Sequence, residues 1–150
     1  MVGYKDPSFR PTQEDAMSYA RQLLDTVPRS LNVDADVLVA AIDAVSDCAQ
    51  ACTSCSDADL AEPDVAEMVK CIRLCLDCAD VCVATGRVIS RQTEYDASLT
   101  RSLLEACVTA CRSSGDECER HAAMHEHCRV CAEACRRCEQ ACQQLLTAMM

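Results

Sequence analysis

Apolar residues and cysteines recur along this chain at steps of three and four, the spacing that puts side chains on one face of an α-helix. The pattern predicts five helices. The first runs from about Thr12 to Val27, with Ala16, Ala20, Leu23, Leu24 and Val27 in one stripe. Thr12 and Asp15 resemble a capping box after Pro11, and Pro28 ends the segment. The second starts near Asn32 or Asp34 and runs to about Ser56, where Leu38, Ile42 and Val45 lead in step into Cys48, Cys52 and Cys55. The third opens at Pro63, a residue suited to a first turn. There Val65 and Met68 lead into Cys71, Cys75, Cys78 and Cys82, and Thr85, Gly86 and Ile89 follow. The fourth starts near Thr93, which with Asp96 forms a box-like cap, and carries Leu99, Leu103, Leu104, Cys107, Cys111, Ser114, Cys118 and His121. The boundary to the fifth falls in Ala122–His127. That helix carries Cys128, Cys131, Cys135, Cys138 and Cys142, then Leu145, Leu146 and Met149.

The order of residue types along each stripe carries more information than the stripes alone. The second and fourth helices read apolar then cysteine; the third and fifth read cysteine then apolar. In an antiparallel up-down four-helix bundle the four apolar ends coincide. Leu38, Ile42, Ile89, Leu99, Leu103, Leu145 and Leu146 then plug one end. Cysteines fill the middle and the other end, near Cys55 to Pro63 and Cys118 to Cys128. The expected fold is all-α, with the cysteine-free first helix (residues 12–28) packed outside the bundle and residues 1–11 flexible. The 150 residues make one domain.

Composition narrows the chemistry. Aromatics are limited to Phe9, Tyr4, Tyr19 and Tyr95, and three glycines and four prolines leave few turns, which suits long helices rather than a sheet. A net charge of −10 argues against nucleic acid and anionic membrane as partners and suits a protein that takes up cations. No apolar run approaches the roughly 18 residues of a membrane span. Met1 to Arg10 lacks the apolar stretch of a signal peptide, so the expected compartment is the cytosol, where thiols stay reduced.

Fifteen cysteines are a tenth of the chain. A disulfide scaffold is disfavoured, because the count is odd and neighbours on one helix face have Cβ atoms roughly 5–6 Å apart where a disulfide wants about 3.5–4.5 Å. An inert core is disfavoured too, since thiols fill less volume than leucine and contribute less burial energy. Thiolates are soft ligands that select Cu(I), Zn(II) and iron–sulfur clusters. The C-x2-C pairs at Cys52–Cys55, Cys75–Cys78, Cys128–Cys131 and Cys135–Cys138 are weak zinc signals, because any helical stripe produces them. C-x3-C-x2-C runs on helices lack the glycines and C-P ending of ferredoxin cluster loops. Cu(I) fits better: it accepts low coordination, so two thiolates can hold one ion and sulfurs can bridge several.

With those four stripes in place, the chain resembles the four-helix-bundle copper storage proteins over roughly residues 12–150. The resemblance implies that all fifteen cysteines line the interior as Cu(I) ligands, that the chain falls in the cytosolic branch, and that it assembles as a homo-tetramer. Copper chaperones or chelating thiols would act as donor or acceptor. Ser114 departs from the pattern, occupying a stripe slot between Cys111 and Cys118 where a cysteine is expected.

At the open end His121, three after Cys118, and His125, four further on, are read as entrance ligands continuing the fourth stripe. Met68, three before Cys71, is read as a thioether ligand. His127 ranks below the other two histidines, Met124, four before Cys128, is similar to Met68, and Asp57 and Asp59 are read as solvated loop acids. No base stands beside a nucleophile, so catalysis is not expected. An iron–sulfur electron carrier and a zinc or thiol redox buffer are the alternatives.

Overall fold

The computed structural model describes residues 17–149. Five α-helices follow one another: α1 (Tyr19–Leu24), α2 (Ala35–Leu60), α3 (Val69–Ile89), α4 (Ala97–His121) and α5 (Glu126–Ala148). A single 3-10 turn, Val65–Glu67, precedes α3. Each long helix packs on the next, and α5 closes the ring against α2. Facing sulfurs give the directions. Cys48 meets Cys78 and Cys135, Cys55 meets Cys128, and Cys82 meets Cys107, which meets Cys142. Every neighbouring pair is therefore antiparallel, as the alternating stripe order requires. Helix α1 lies outside, against α2.

The apolar ends do coincide. Leu38, Ile89, Thr100 and Leu145 line one small space at the closed end, and Leu38, Ile89, Leu104 and Leu145 are all but inaccessible. The plug differs in α4, where Leu99 is 58% exposed and Thr100 takes its place. The inward register of α4 is 100, 104, 107, 111, 114, 118, which leaves Leu99 on the outer side. Thr100 is tolerated there because its hydroxyl donates to Asp96 O within its own helix.

Helix α2 is long and apolar enough, by length and composition, to cross a membrane. In the fold its apolar side, from Leu38 through Val45 to Cys55, is buried in the bundle.

Several boundaries differ from the periodicity, each for a local reason. Helix α1 begins at Tyr19, with Ser18 accepting from Arg21 N as its cap, and stops at Leu24. Thr26 and Val27 turn back onto Leu23 O and Leu24 O, because the residue before Pro28 is driven out of the helical region. The Thr12–Asp15 cap lies outside the described residues. Pro63 does not open α3; Val65, Glu67 and Met68 close i→i+3 bonds first, and the α-helix starts at Val69. Asp96, not Thr93, caps α4, accepting from Leu99 N. Helix α2 continues past Ser56 to Leu60, which moves Asp59 from the expected loop into the bundle.

Candidate metal centre

The inward face of each long helix delivers its cysteines to a shared axis. All fifteen are free thiols and all are buried. Sulfur–sulfur separations run from 3.5 Å for Cys75–Cys118 to 3.9 Å for Cys82–Cys138. The thiols fall into overlapping groups whose ligand atoms lie within 4.8 Å of one another: Cys48, Cys82, Cys111 and Cys138; Cys48, Cys52, Cys78 and Cys135; Cys52, Cys75 and Cys131; Cys55, Cys71, Cys75 and Cys118. Because Cys48, Cys52 and Cys75 each belong to two of these groups, the groups join into one column. Cys142, against Cys107, ends it near the plug.

Ser114 interrupts the sulfur lining at mid-column. Its hydroxyl lies 3.8 Å from Cys52 Sγ, 3.6 Å from Cys75 Sγ and 3.5 Å from Cys135 Sγ. The column passes it through Cys52 and Cys131, 3.7 Å apart.

At the open end the column meets nitrogen and oxygen. His127 Nδ1 lies 3.5 Å from Cys55 Sγ and 3.6 Å from Cys128 Sγ. Asp59 is fully buried; its Oδ1 accepts from Cys128 Sγ at 3.5 Å. His127 stacks on His125 with ring centres 5.5 Å apart. The polar contacts of His125 go to Asp64 (3.2 Å) and Glu62 (3.3 Å), and those of His121 to Glu117 (3.3 Å).

The structure thus brings His127 against the thiols and pairs His121 and His125 with carboxylates. The reason is the break at residues 122–125. It ends α4 at His121, three residues after Cys118, and makes His125 the extended N-cap of α5, so His125 does not continue the α4 stripe. Met68 is fully buried at the N-terminus of α3, while Met124 is 77% exposed. Asp59 and His127 were both present in the sequence as periodic signals. Asp59 extends the 48, 52, 55 series by four, and His127 precedes Cys131 by four. Glu62 and Asp64 lie between helices, where no period marks them.

Electrostatics follow from this packing. Burial, reinforced by the Asp59 charge, pushes the Cys128 thiol up to about 12. Burial likewise raises Asp59. The Asp64 hydrogen bond raises His125, and the same bond lowers Asp64. Within the column neighbouring thiols share protons unequally: Cys107 is held low by its bond to Cys111, and Cys111 is held high in return. A surface concavity of about 510 Å³ is lined by Arg112, Arg136, Glu139 and neighbours on the outer α4–α5 face and contains no cysteine.

The sequence profile of the copper storage protein family matches residues 34–147, which contain every cysteine of the column. The chain belongs to the copper storage protein family. The bundle is similar to the copper storage protein Ccsp from Streptomyces lividans loaded with 10 copper equivalents: 58% identity, TM-score 0.85, covering 86% of this chain and 98% of that one. It is also similar to a structure of copper loading to a cytosolic copper storage protein from Streptomyces lividans with five coppers, at 62% identity and TM-score 0.74, covering 75% and 93% of the two chains. An uncharacterized cysteine-rich protein, YhjQ, of Bacillus subtilis (strain 168) is 35% identical over 95 residues, 63% of this chain and 82% of that protein.

Proposed function

We propose that this protein stores and buffers Cu(I) in the cytosol, binding many ions through the thiolates of its column, and that it is not an enzyme. The observation that carries this reading is the continuity of the column, fifteen buried thiols with each sulfur in reach of the next. Soft thiolates favour Cu(I), and shared sulfurs let ions lie side by side. Each ion displaces a thiol proton, so Cu⁺ replaces H⁺ and the buried core gains no net charge. The Streptomyces lividans relatives, described as cytosolic and as copper-loaded, support the same location and cargo.

Ions enter at the histidine end. His127 hands them to Cys55 and Cys128, with His121, His125 and the buried thioether of Met68 around the same mouth, and ligand exchange between adjacent sulfurs carries them inward. The plug of Leu38, Ile89, Leu104 and Leu145 closes the far end. A homo-tetramer follows from the resemblance and is checked by light scattering in solution.

The test is an anaerobic Cu(I) titration of reduced protein against a chromogenic chelator. A sharp endpoint at about one ion per thiol or more supports storage. An endpoint of one to a few ions rejects it; iron, sulfide and zinc analysis then separates a cluster protein from a zinc or thiol buffer. Replacing His121, His125 and His127 together should slow loading while leaving capacity nearly unchanged. Unchanged rates would exclude the histidine end as the entrance.

A further inference from the structure

One group at the mouth differs in kind from the rest of the column. Its donors are Cys55 Sγ, Asp59 Oδ1, His127 Nδ1 and Cys128 Sγ, all within 4.8 Å of one another. Five of the six separations are 3.5 Å (Cys55–His127), 3.9 Å (Cys55–Cys128), 3.6 Å (Cys128–His127), 3.5 Å (Cys128–Asp59) and 3.5 Å (His127–Asp59). A tetrahedral zinc site with bonds of about 2.0–2.3 Å has donor–donor edges of about 3.3–3.8 Å. The fold holds these four atoms near that spacing already.

Two independent observations point to a cation. Asp59 is 0% exposed, and its second oxygen, Oδ2, is buried without a hydrogen-bond partner among the described residues. A buried carboxylate is retained at such cost where a cation compensates it. The second observation is the orientation of His127. Its Nε2–H donates to Glu62 Oε1 at 2.9 Å, since a carboxylate can only accept. Its Nδ1, on the other side of the ring, faces the two sulfurs and Asp59 Oδ1. A carboxylate behind an imidazole is the arrangement that orients metal-bound histidines.

The geometry points to Cys55, Asp59, His127 and Cys128 as a site for one divalent cation of borderline softness, zinc(II) above others, chemically distinct from the all-thiol column. Mixed sulfur, nitrogen and oxygen donors in a tetrahedron suit that ion. Charge places it here and not deeper. Two thiolates and a carboxylate around a divalent ion leave one net negative charge at the open end. Four thiolates around the same ion leave two, inside a column where every sulfur is buried. Binding releases the two thiol protons to solvent and changes no oxidation state. The site goes beyond copper storage and is tested separately from it.

The experiment adds one equivalent of Zn(II) to reduced, copper-free, full-length protein and reads the ligand shell by zinc K-edge X-ray absorption. The expected shell has two sulfurs and two nitrogen or oxygen atoms; four sulfurs would overturn the proposal. His127→Ala and Asp59→Asn should weaken this equivalent at least tenfold and move it to an all-sulfur shell, while Cys111→Ser leaves both readings unchanged. Glu62→Gln, at a side chain 27% exposed and outside the helices, should weaken binding about 10–100-fold without touching the ligands. Unchanged affinity in His127→Ala and Glu62→Gln, with helical circular dichroism retained, also overturns it. Cu(I) capacity is measured on the same samples. A protein that holds zinc at the mouth yet takes up few Cu(I) ions would end the storage reading and leave this site standing.

Discussion

Ser114 is where the column is thinnest in sulfur, and its hydroxyl is a poor ligand for a soft ion set among three thiols. Ser114→Cys adds one sulfur at the point where Cys52, Cys75 and Cys135 converge. The expected result is a rise of about one Cu(I) in the titration endpoint, since two or three thiolates already surround the new ligand. An unchanged endpoint would show that the slot is already served by its neighbours. Cys128 carries a pH prediction. Its thiol is raised from 9.0 to about 12 in the fold, so the unfolded chain loses this proton first as pH rises. The native state then holds more protons, and stability falls with pH across that interval. The contribution is fully present below pH 9 and lost as pH climbs toward 12. Anaerobic melting of the copper-free protein should show Tm falling over this range. The copper-loaded protein, with the thiol already deprotonated, should show less of this fall.

At the scale of the helices, two aspartates set where long elements begin. Asp34 accepts from Asp36 N and Val37 N at the start of α2, and Asp96 accepts from Leu99 N at the start of α4. Replacing either by alanine should cost about 1 kcal/mol of stability in the copper-free protein, measured by urea unfolding, because an orphan N–H loses its acceptor. Asp34 is readable in the sequence as a candidate start of its helix; Asp96 is readable only as the partner of Thr93, yet it is Asp96 that caps α4. The ends were harder to read. Helix α2 runs one turn beyond Ser56 because nothing before Ala61 breaks it, and Pro63 falls in the turn ahead of the 3-10 stretch instead of a first α-turn. That single extra turn is why Asp59 is a buried member of the mouth. Asp59 continues the step of the cysteines by four, but its burial depends on that extra turn. Gly86 shows a different limit. A Cβ there would meet Val45 Cγ2 at 3.1 Å, so α3 approaches α2 closely at this member of the stripe, a distance that periodicity alone does not give.

For the whole molecule, the four-helix arrangement and its plug were legible because four stripes had to bury the same kind of residue at the same end. The thiol column followed from the same constraint. The contacts at the mouth did not, because they join Glu62 and Asp64, between helices, to His125 at a cap, an arrangement set by tertiary packing. A core of thiols contributes less burial than one of leucine, so the metal should matter to the fold. Ligands that bind only the native state raise its stability by mass action. Tm should therefore increase progressively with each increment of Cu(I), by several degrees at the least for 1 kcal/mol or more of linkage. A flat Tm would mean that copper binds outside the core. The most direct measurement of the central claim is a crystal structure of the Cu(I)-loaded protein with anomalous diffraction at the copper edge. The account predicts a line of copper peaks along the bundle axis, from Cys107 and Cys142 beside the plug, past Ser114, to Cys55 and Cys128 at the mouth. Peaks confined to the mouth or scattered on the outer surface, with the column empty, would contradict it.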